Sequence, residues 1–143
     1  LNRIKNYSED VHLLAYCLMP NHVHLLVRQN NASDLASFLH SLHTRYAMYF
    51  NLKYKRQGVL FESKYKSKLI TTDKYLVYVS KYIHANPIDL CKRLENYSWS
   101  SMSFYDNERQ PKWLHTDLVV KKFIISSYAR TFNSYSDYVK DQP

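Results

Sequence analysis

Apolar residues near the start of the chain alternate with polar ones and predict a β-hairpin. Residues 10–18 are apolar enough for a strand, and residues 22–29 form a second run rich in Val and Leu. Between them, residues 19–21 (Met-Pro-Asn) carry a turn signal. Residues 1–8 are interpreted as the last turns of a helix that precedes this hairpin.

Apolar positions at helical spacing predict two longer helices further along the chain. Residues 33–34 (Ser-Asp) begin the first, and its apolar face continues to Phe50. Residues 71–73 (Thr-Thr-Asp) begin the second. That helix must end near Asn86, because Pro87 disfavours helical geometry in the residue before it.

Two other segments have weaker patterns. Residues 59–61 and 64–70 are interpreted as a further strand or a pair of short strands. Residues 97–143 are interpreted as a loop followed by one or two helices.

Two histidines flank one hydrophobic residue in the second predicted strand. Side chains alternate faces along a strand, so His22 and His24 lie on the same face, roughly 7 Å apart. Val23 and Leu25 are then expected to face the core. Two imidazoles on one rigid strand are well placed to hold a metal ion, although the same pattern fits two surface histidines on a half-exposed strand.

Composition places the chain among globular proteins with a polyanionic partner. Its 143 residues fit one domain, with 45% hydrophobic and 22% charged residues, and no run is long enough for a transmembrane helix. The net charge of +8 favours nucleic acid, and some of the 14 tyrosines suit stacking on unpaired bases. The single glycine, Gly58, excludes glycine-rich phosphate loops.

The end of the second predicted helix carries a second candidate pair. Tyr82 and Asn86 are four residues apart and therefore share a helix face, whereas His84 points away from them. A phenol is a possible nucleophile and an amide oxygen a possible metal ligand. The same spacing also fits a core tyrosine followed by an asparagine at the helix C-cap.

Four blocks occur in order over residues 15–101: AYCLMPNHVHLLV, GVLFESKYKSKLI, YLVYVSKYIHANPI and YSWSS. Together they resemble the HUH-class single-tyrosine transposases, especially the REP-associated tyrosine transposases related to the smallest insertion-sequence transposases. The resemblance implies an α+β, ferredoxin-like antiparallel sheet with helices packed on one face, plus C-terminal helices. It places the catalytic domain at 1–96 and a helical extension of the same domain at 97–143. Members carry a strand and a helix before the position of Leu1, so that first strand is expected to be missing here.

The resemblance also implies an activity and its residues. His22, His24 and Asn86 would hold Mg²⁺ or Mn²⁺, and Tyr82 would attack DNA to form a 5′-phosphotyrosine intermediate. The implied protein is a homodimer that nicks and rejoins single-stranded or hairpin DNA in the bacterial cytoplasm, at the nucleoid, without a membrane.

Basic residues supply a candidate DNA path. Lys64, Lys66 and Lys68 alternate along the predicted strand and would line one face, although lysines also protect sheet edges from aggregation. Arg56 is a further candidate near the end of the first long helix.

Two other functions compete with the transposase. One is a ferredoxin-like module that grips structured nucleic acid without cutting it. The other, a histidine-triad hydrolase, needs a third histidine where this chain has Leu26.

Overall fold

The protein is described from a computed structural model that covers residues 5–107 and 110–141. Its strands and helices are β1 (Val11–Leu18), β2 (Val23–Gln29), α1 (Asp34–Lys53), α2 (Asp73–Ala85), α3 (Asp117–Ile125) and α4 (Tyr135–Lys140). Short 3₁₀ turns lie at Asn86–Asp89, Leu94–Asn96, Met102–Phe104 and Ser127–Arg130. Within the described residues, no helix has the length and apolarity needed to cross a membrane.

The described residues form two compact units. The helical unit comprises residues 5–11 and 29–69 and contains α1. The hairpin unit comprises residues 12–28 and the described residues from 70 onward, and contains most of the hairpin with α2, α3 and α4. The predicted division at residue 96 stays a prediction.

The hairpin and both long helices are confirmed. β1 and β2 pair in a two-stranded antiparallel sheet, and the Met19 N–H donates to the His22 carbonyl at 2.9 Å to close the turn. The Thr72 hydroxyl accepts from the Tyr75 N–H at 3.2 Å and caps α2, a contact typically worth about 1 kcal/mol. The overall α+β class is confirmed, but the ferredoxin-like arrangement is not, because the sheet has only two strands within the described chain.

Residues that follow α2 in the hairpin unit hydrogen-bond to the edge of β1 that does not pair with β2. The Leu18 N–H donates to the Trp99 carbonyl, and the Ser101 N–H donates to the Tyr16 carbonyl, at 2.8 and 3.0 Å. The His115 N–H donates to the Leu13 carbonyl at 2.8 Å. β1 therefore has backbone partners along both edges.

Three predictions about local structure were wrong. Residues 59–61 and 64–70 form no strand, since residues 62–69 are exposed and make no sheet ladder. Residues 5–8 are not helical, and residues 1–4 of that predicted helix lie outside the described residues. Val23 does not face the core, because its side chain is 50% exposed.

The face of β2 that carries the histidines is the one that meets the core. Leu26 lies two residues after His24 and so shares its face by strand alternation. Leu26 is 4% exposed and belongs to the apolar cluster that includes Val77 and Ile83 of α2. The expectation that Val23 and Leu25 face inward is corrected for this reason.

His84 points away from Tyr82, as predicted, and is fully buried. Its two ring nitrogens contact the Tyr135 hydroxyl at 2.9 Å and the Ser101 hydroxyl at 2.7 Å. The Tyr105 ring packs against it edge-on, with centroids 4.5 Å apart. Burial lowers the pKa of His84 to about 3, so the folded protein holds this imidazole in its neutral form.

We predict that acid destabilises the fold through His84. An unfolded histidine takes up a proton near pH 6.5, whereas the folded one stays neutral down to about pH 3. Between these limits the unfolded state binds the extra proton, so the free energy of unfolding falls by about 1.4 kcal/mol for each pH unit lost. Urea unfolding at several pH values measures this slope.

The variant His84→Asn is expected to show a shallower slope between pH 6.5 and 4. Parallel slopes in the two proteins would contradict the prediction. If the variant does not fold, the His84 ring proton shift in the wild-type protein serves instead, and it should stay flat down to pH 4.5.

Candidate active site

The two predicted histidines are in direct contact, His24 on strand β2 and His22 directly before it. The Nε2 atoms of His22 and His24 are 2.9 Å apart, and the rings are nearly perpendicular. His22 is exposed and His24 is half-buried, so the pair lies where the core-facing side of the strand emerges at the surface.

Asn21 orients the first imidazole. Its side-chain oxygen lies 2.7 Å from Nδ1 of His22 and can only accept a hydrogen bond, so Nδ1 carries the ring proton. Nε2 of a neutral His22 then has a free lone pair, and it lies 2.9 Å from Nε2 of His24. The turn residue thereby directs a lone pair toward the second histidine. The sequence predicted only a turn at Asn21. An asparagine directly before His22 could also have indicated a hydrogen-bond partner for that ring.

Helix α2 brings the other predicted pair to the same place. The Tyr82 ring meets the His24 ring edge-on with centroids 5.7 Å apart, and the Tyr82 side chain is 54% exposed. Asn86 keeps helical backbone angles (φ −50°, ψ −40°) although Pro87 follows it. Its side chain therefore lies one turn beyond Tyr82.

The two ends of the Asn86 amide have different partners. The Nδ2 donates to the Tyr82 carbonyl at 2.7 Å, which ties the amide to its own helix. Since the nitrogen is used in this way, the amide oxygen is the end available to other groups. The Asn86 side chain also lies near enough to His24 to act on the pKa of that imidazole. The structure thus joins His22, His24 and Asn86 in one contact chain.

The electrostatic setting favours neutral imidazole at His24. Burial lowers the pKa of His24 and the neighbouring His22 lowers it further, whereas the Asn86 side chain, as an acceptor that favours the protonated ring, opposes both effects. A neutral imidazole has the lone pair that a metal ligand needs.

The donor set fits a divalent cation. Metal–ligand bonds of about 2.1 Å at right angles place two donor atoms about 3.0 Å apart, and the two Nε2 atoms are 2.9 Å apart. Across residues 5–107 and 110–141, no three His, Cys, Asp or Glu side chains gather at one point. A third protein ligand must therefore be of another type, as the Asn86 amide oxygen is.

The predicted DNA-contacting residues lie in the helical unit. Lys64, Lys66 and Lys68 are exposed, but they are not on a strand, so the argument that they share one face is lost. Arg56 is exposed and lies over the Phe50 ring at 5.7 Å. Their role in DNA binding stays a prediction.

The comparison with known families identifies the class of protein to which this chain belongs. The family model described as "Transposase IS200 like" matches residues 2–86, more than half of the chain. The chain therefore belongs to the IS200-like transposase family, and its substrate is DNA. All four residues of the candidate site lie within the matched range. The searches of curated proteins and of solved structures found no match.

Proposed function

We propose that this transposase cleaves and rejoins single-stranded or hairpin DNA through a covalent 5′-phosphotyrosine intermediate. The observation that supports the proposal is the approach of Tyr82 and Asn86 to the His22–His24 pair within one unit. Tyr82 is 54% exposed, so its hydroxyl is accessible to a substrate, and it is the tyrosine whose ring meets His24.

His22, His24 and Asn86 are the residues that would hold the cation. Mg²⁺ or Mn²⁺ is proposed from the family resemblance, and the two nitrogen donors suit Mn²⁺ well. When bound, the cation supplies a positive charge that polarises the phosphate and offsets the negative charge of the transition state.

Tyr82 is the proposed nucleophile. Its hydroxyl loses a proton, and the phenolate oxygen attacks the phosphorus in line with the bond to the DNA 3′-oxygen. The new bond joins the tyrosine oxygen to the phosphorus, the bond to the 3′-oxygen breaks, and the released oxygen takes up a proton. Since the phosphotyrosine keeps the bond energy, a second 3′-hydroxyl can reverse the step and join new strands.

Basic residues of the helical unit are proposed to contact the DNA backbone. Lys64, Lys66, Lys68 and Arg56 are exposed cations, and such side chains bind phosphates and release counterions. The resemblance further favours a homodimer as the acting form.

Replacing the nucleophile should abolish the covalent product. With Mg²⁺ or Mn²⁺ and a labelled hairpin oligonucleotide, the wild-type protein should give an adduct on a denaturing gel, and Tyr82→Phe should give none. Tyr78→Phe is the matched control, because Tyr78 lies one turn earlier on α2 and is 53% exposed.

Adduct formation by Tyr82→Phe would refute the assignment of the nucleophile. Hairpin binding by the wild-type protein that needs no cation and leads to no adduct would favour the non-cutting binding module instead.

Removing a ligand should weaken cation binding. In Mn²⁺ titrations followed by electron paramagnetic resonance, His24→Ala should raise the dissociation constant at least about tenfold, since even outer-shell changes often cost that much. His40→Ala is the control, because His40 is an exposed histidine of α1 in the helical unit. Equal effects of the two substitutions would place the cation elsewhere.

Replacing three lysines by alanine should reduce the salt dependence of DNA binding. Each phosphate contact to a single strand contributes about 0.7 to the slope of log K against log salt, so Lys64, Lys66 and Lys68→Ala together should lower it by about 2. Fluorescence anisotropy at several salt concentrations measures the slope. Replacing Lys74, Lys92 and Lys112, also exposed, matches the loss of charge, and an equal loss of slope there would contradict a specific path.

A further inference from the structure

A buried chain of hydrogen bonds links helix α2 to two other parts of the hairpin unit. It is centred on His84, which lies between Tyr82 and Asn86 in sequence but on the opposite side of the helix, with no exposed surface. Its ring nitrogens contact Tyr135 of α4 at 2.9 Å and Ser101 at 2.7 Å. Both partners lie beyond residue 86, where the family match ends.

The shortest contacts favour one arrangement of protons, in which the Ser101 hydroxyl donates to His84 at 2.7 Å rather than to the Tyr16 carbonyl at 3.3 Å. The Ser80 hydroxyl donates to the Val77 carbonyl at 2.8 Å, and it accepts from the Tyr135 hydroxyl at 2.9 Å. Tyr135 has then used its proton, so the Nδ1–H of His84 donates to the tyrosine oxygen. Nε2 of His84 is left as an acceptor for the Ser101 hydroxyl. The imidazole is thus fixed in one tautomer and one orientation.

Ser101 also connects the chain to strand β1. Its hydroxyl oxygen accepts from the Tyr16 N–H at 2.9 Å, and its own N–H donates to the Tyr16 carbonyl at 3.0 Å. β1 in turn pairs with β2, which carries His24 and directly follows His22. A single serine therefore joins the helix of the nucleophile to the sheet of the paired imidazoles.

We infer that His84 is a positioning residue, which through Ser101 and Tyr135 sets α2 so that Tyr82 and Asn86 face the two histidines of β2. The role rests on the function proposed above. A misplacement of about 1 Å in a reacting group can cost on the order of 100-fold in rate. Loss of the bonds at His84 frees α2 to rotate or slide, and both residues on its exposed face move with it.

The test measures the rate of adduct formation separately from the affinity for DNA. His84→Asn, Ser101→Ala and Tyr135→Phe are each expected to slow single-turnover adduct formation at saturating hairpin DNA by about 10- to 100-fold. The dissociation constant for the same DNA should stay unchanged, because His84 is buried away from any substrate. Rates are taken where urea unfolding shows each variant to be folded.

Tyr105→Phe is the matched control for a buried tyrosine. Tyr105 packs against His84 and is 4% exposed, but its hydroxyl donates to the Leu14 carbonyl at 2.8 Å. This substitution removes a buried hydrogen bond without removing one from the His84 chain. If Tyr135→Phe slows the reaction no more than Tyr105→Phe, the positioning role is overturned.

Hydrogen exchange gives a readout that needs neither DNA nor cation. The backbone amides of residues 82–86 should exchange about tenfold faster or more in Tyr135→Phe than in Tyr105→Phe, because local opening costs less there. If the wild-type protein makes no adduct, the proposed function fails and this comparison alone decides the positioning role. Equal exchange in the two variants would then overturn it.

Discussion

The candidate site depends on which face of strand β2 is buried. A strand sends alternate side chains to opposite faces, so His24 and Leu26 must share one, and His22, just before the strand, meets His24 there. Leu26 packs in the core with Val77 and Ile83 of α2, and this burial fixes the histidine face toward that helix. A slip of one residue in the hairpin would turn both imidazoles away, at the cost of exposing Leu26. Apolar packing therefore sets the register of the polar site.

Helix α2 also separates a buried face from an exposed face that carries candidate residues. Ile83 and His84 are buried, whereas Tyr82 is more than half exposed, so consecutive residues separate the core face from the reactive face. Asn86 extends the exposed face by one turn because its backbone angles stay helical at the start of the 3₁₀ turn. Because the helix is amphipathic, the side chains of Tyr82 and Asn86 lie at the edge of the core, beside the first residues of β2.

Local patterns were enough to predict the hairpin, the two long helices and the shared face of Tyr82 and Asn86. Each of these depends on residues within one turn or one strand, which short-range sterics and caps control. The strand predicted over residues 64–70 was wrong because a strand depends on a distant partner. Alternating lysines resemble a strand, but a strand also needs another edge to pair with.

The inward-facing side of β2 was mispredicted because alternation defines two faces and only a tertiary partner selects one. The partners of His84 were beyond sequence reasoning, as Ser101 and Tyr135 lie 17 and 51 residues away. The resemblance to a known family located the candidate residues, but it did not indicate what holds them in place.

The described residues after Asn86 belong to the same compact unit as the candidate site, although the family match ends at Asn86. Residues 99–101 and His115 pair with the outer edge of β1, and Ser101 and Tyr135 satisfy both nitrogens of a buried imidazole. Each of these hydrogen bonds typically contributes about 0.5–1.5 kcal/mol to stability. The strand and the helix that carry the candidate active site therefore take these hydrogen-bond partners from residues 97–107 and 110–141.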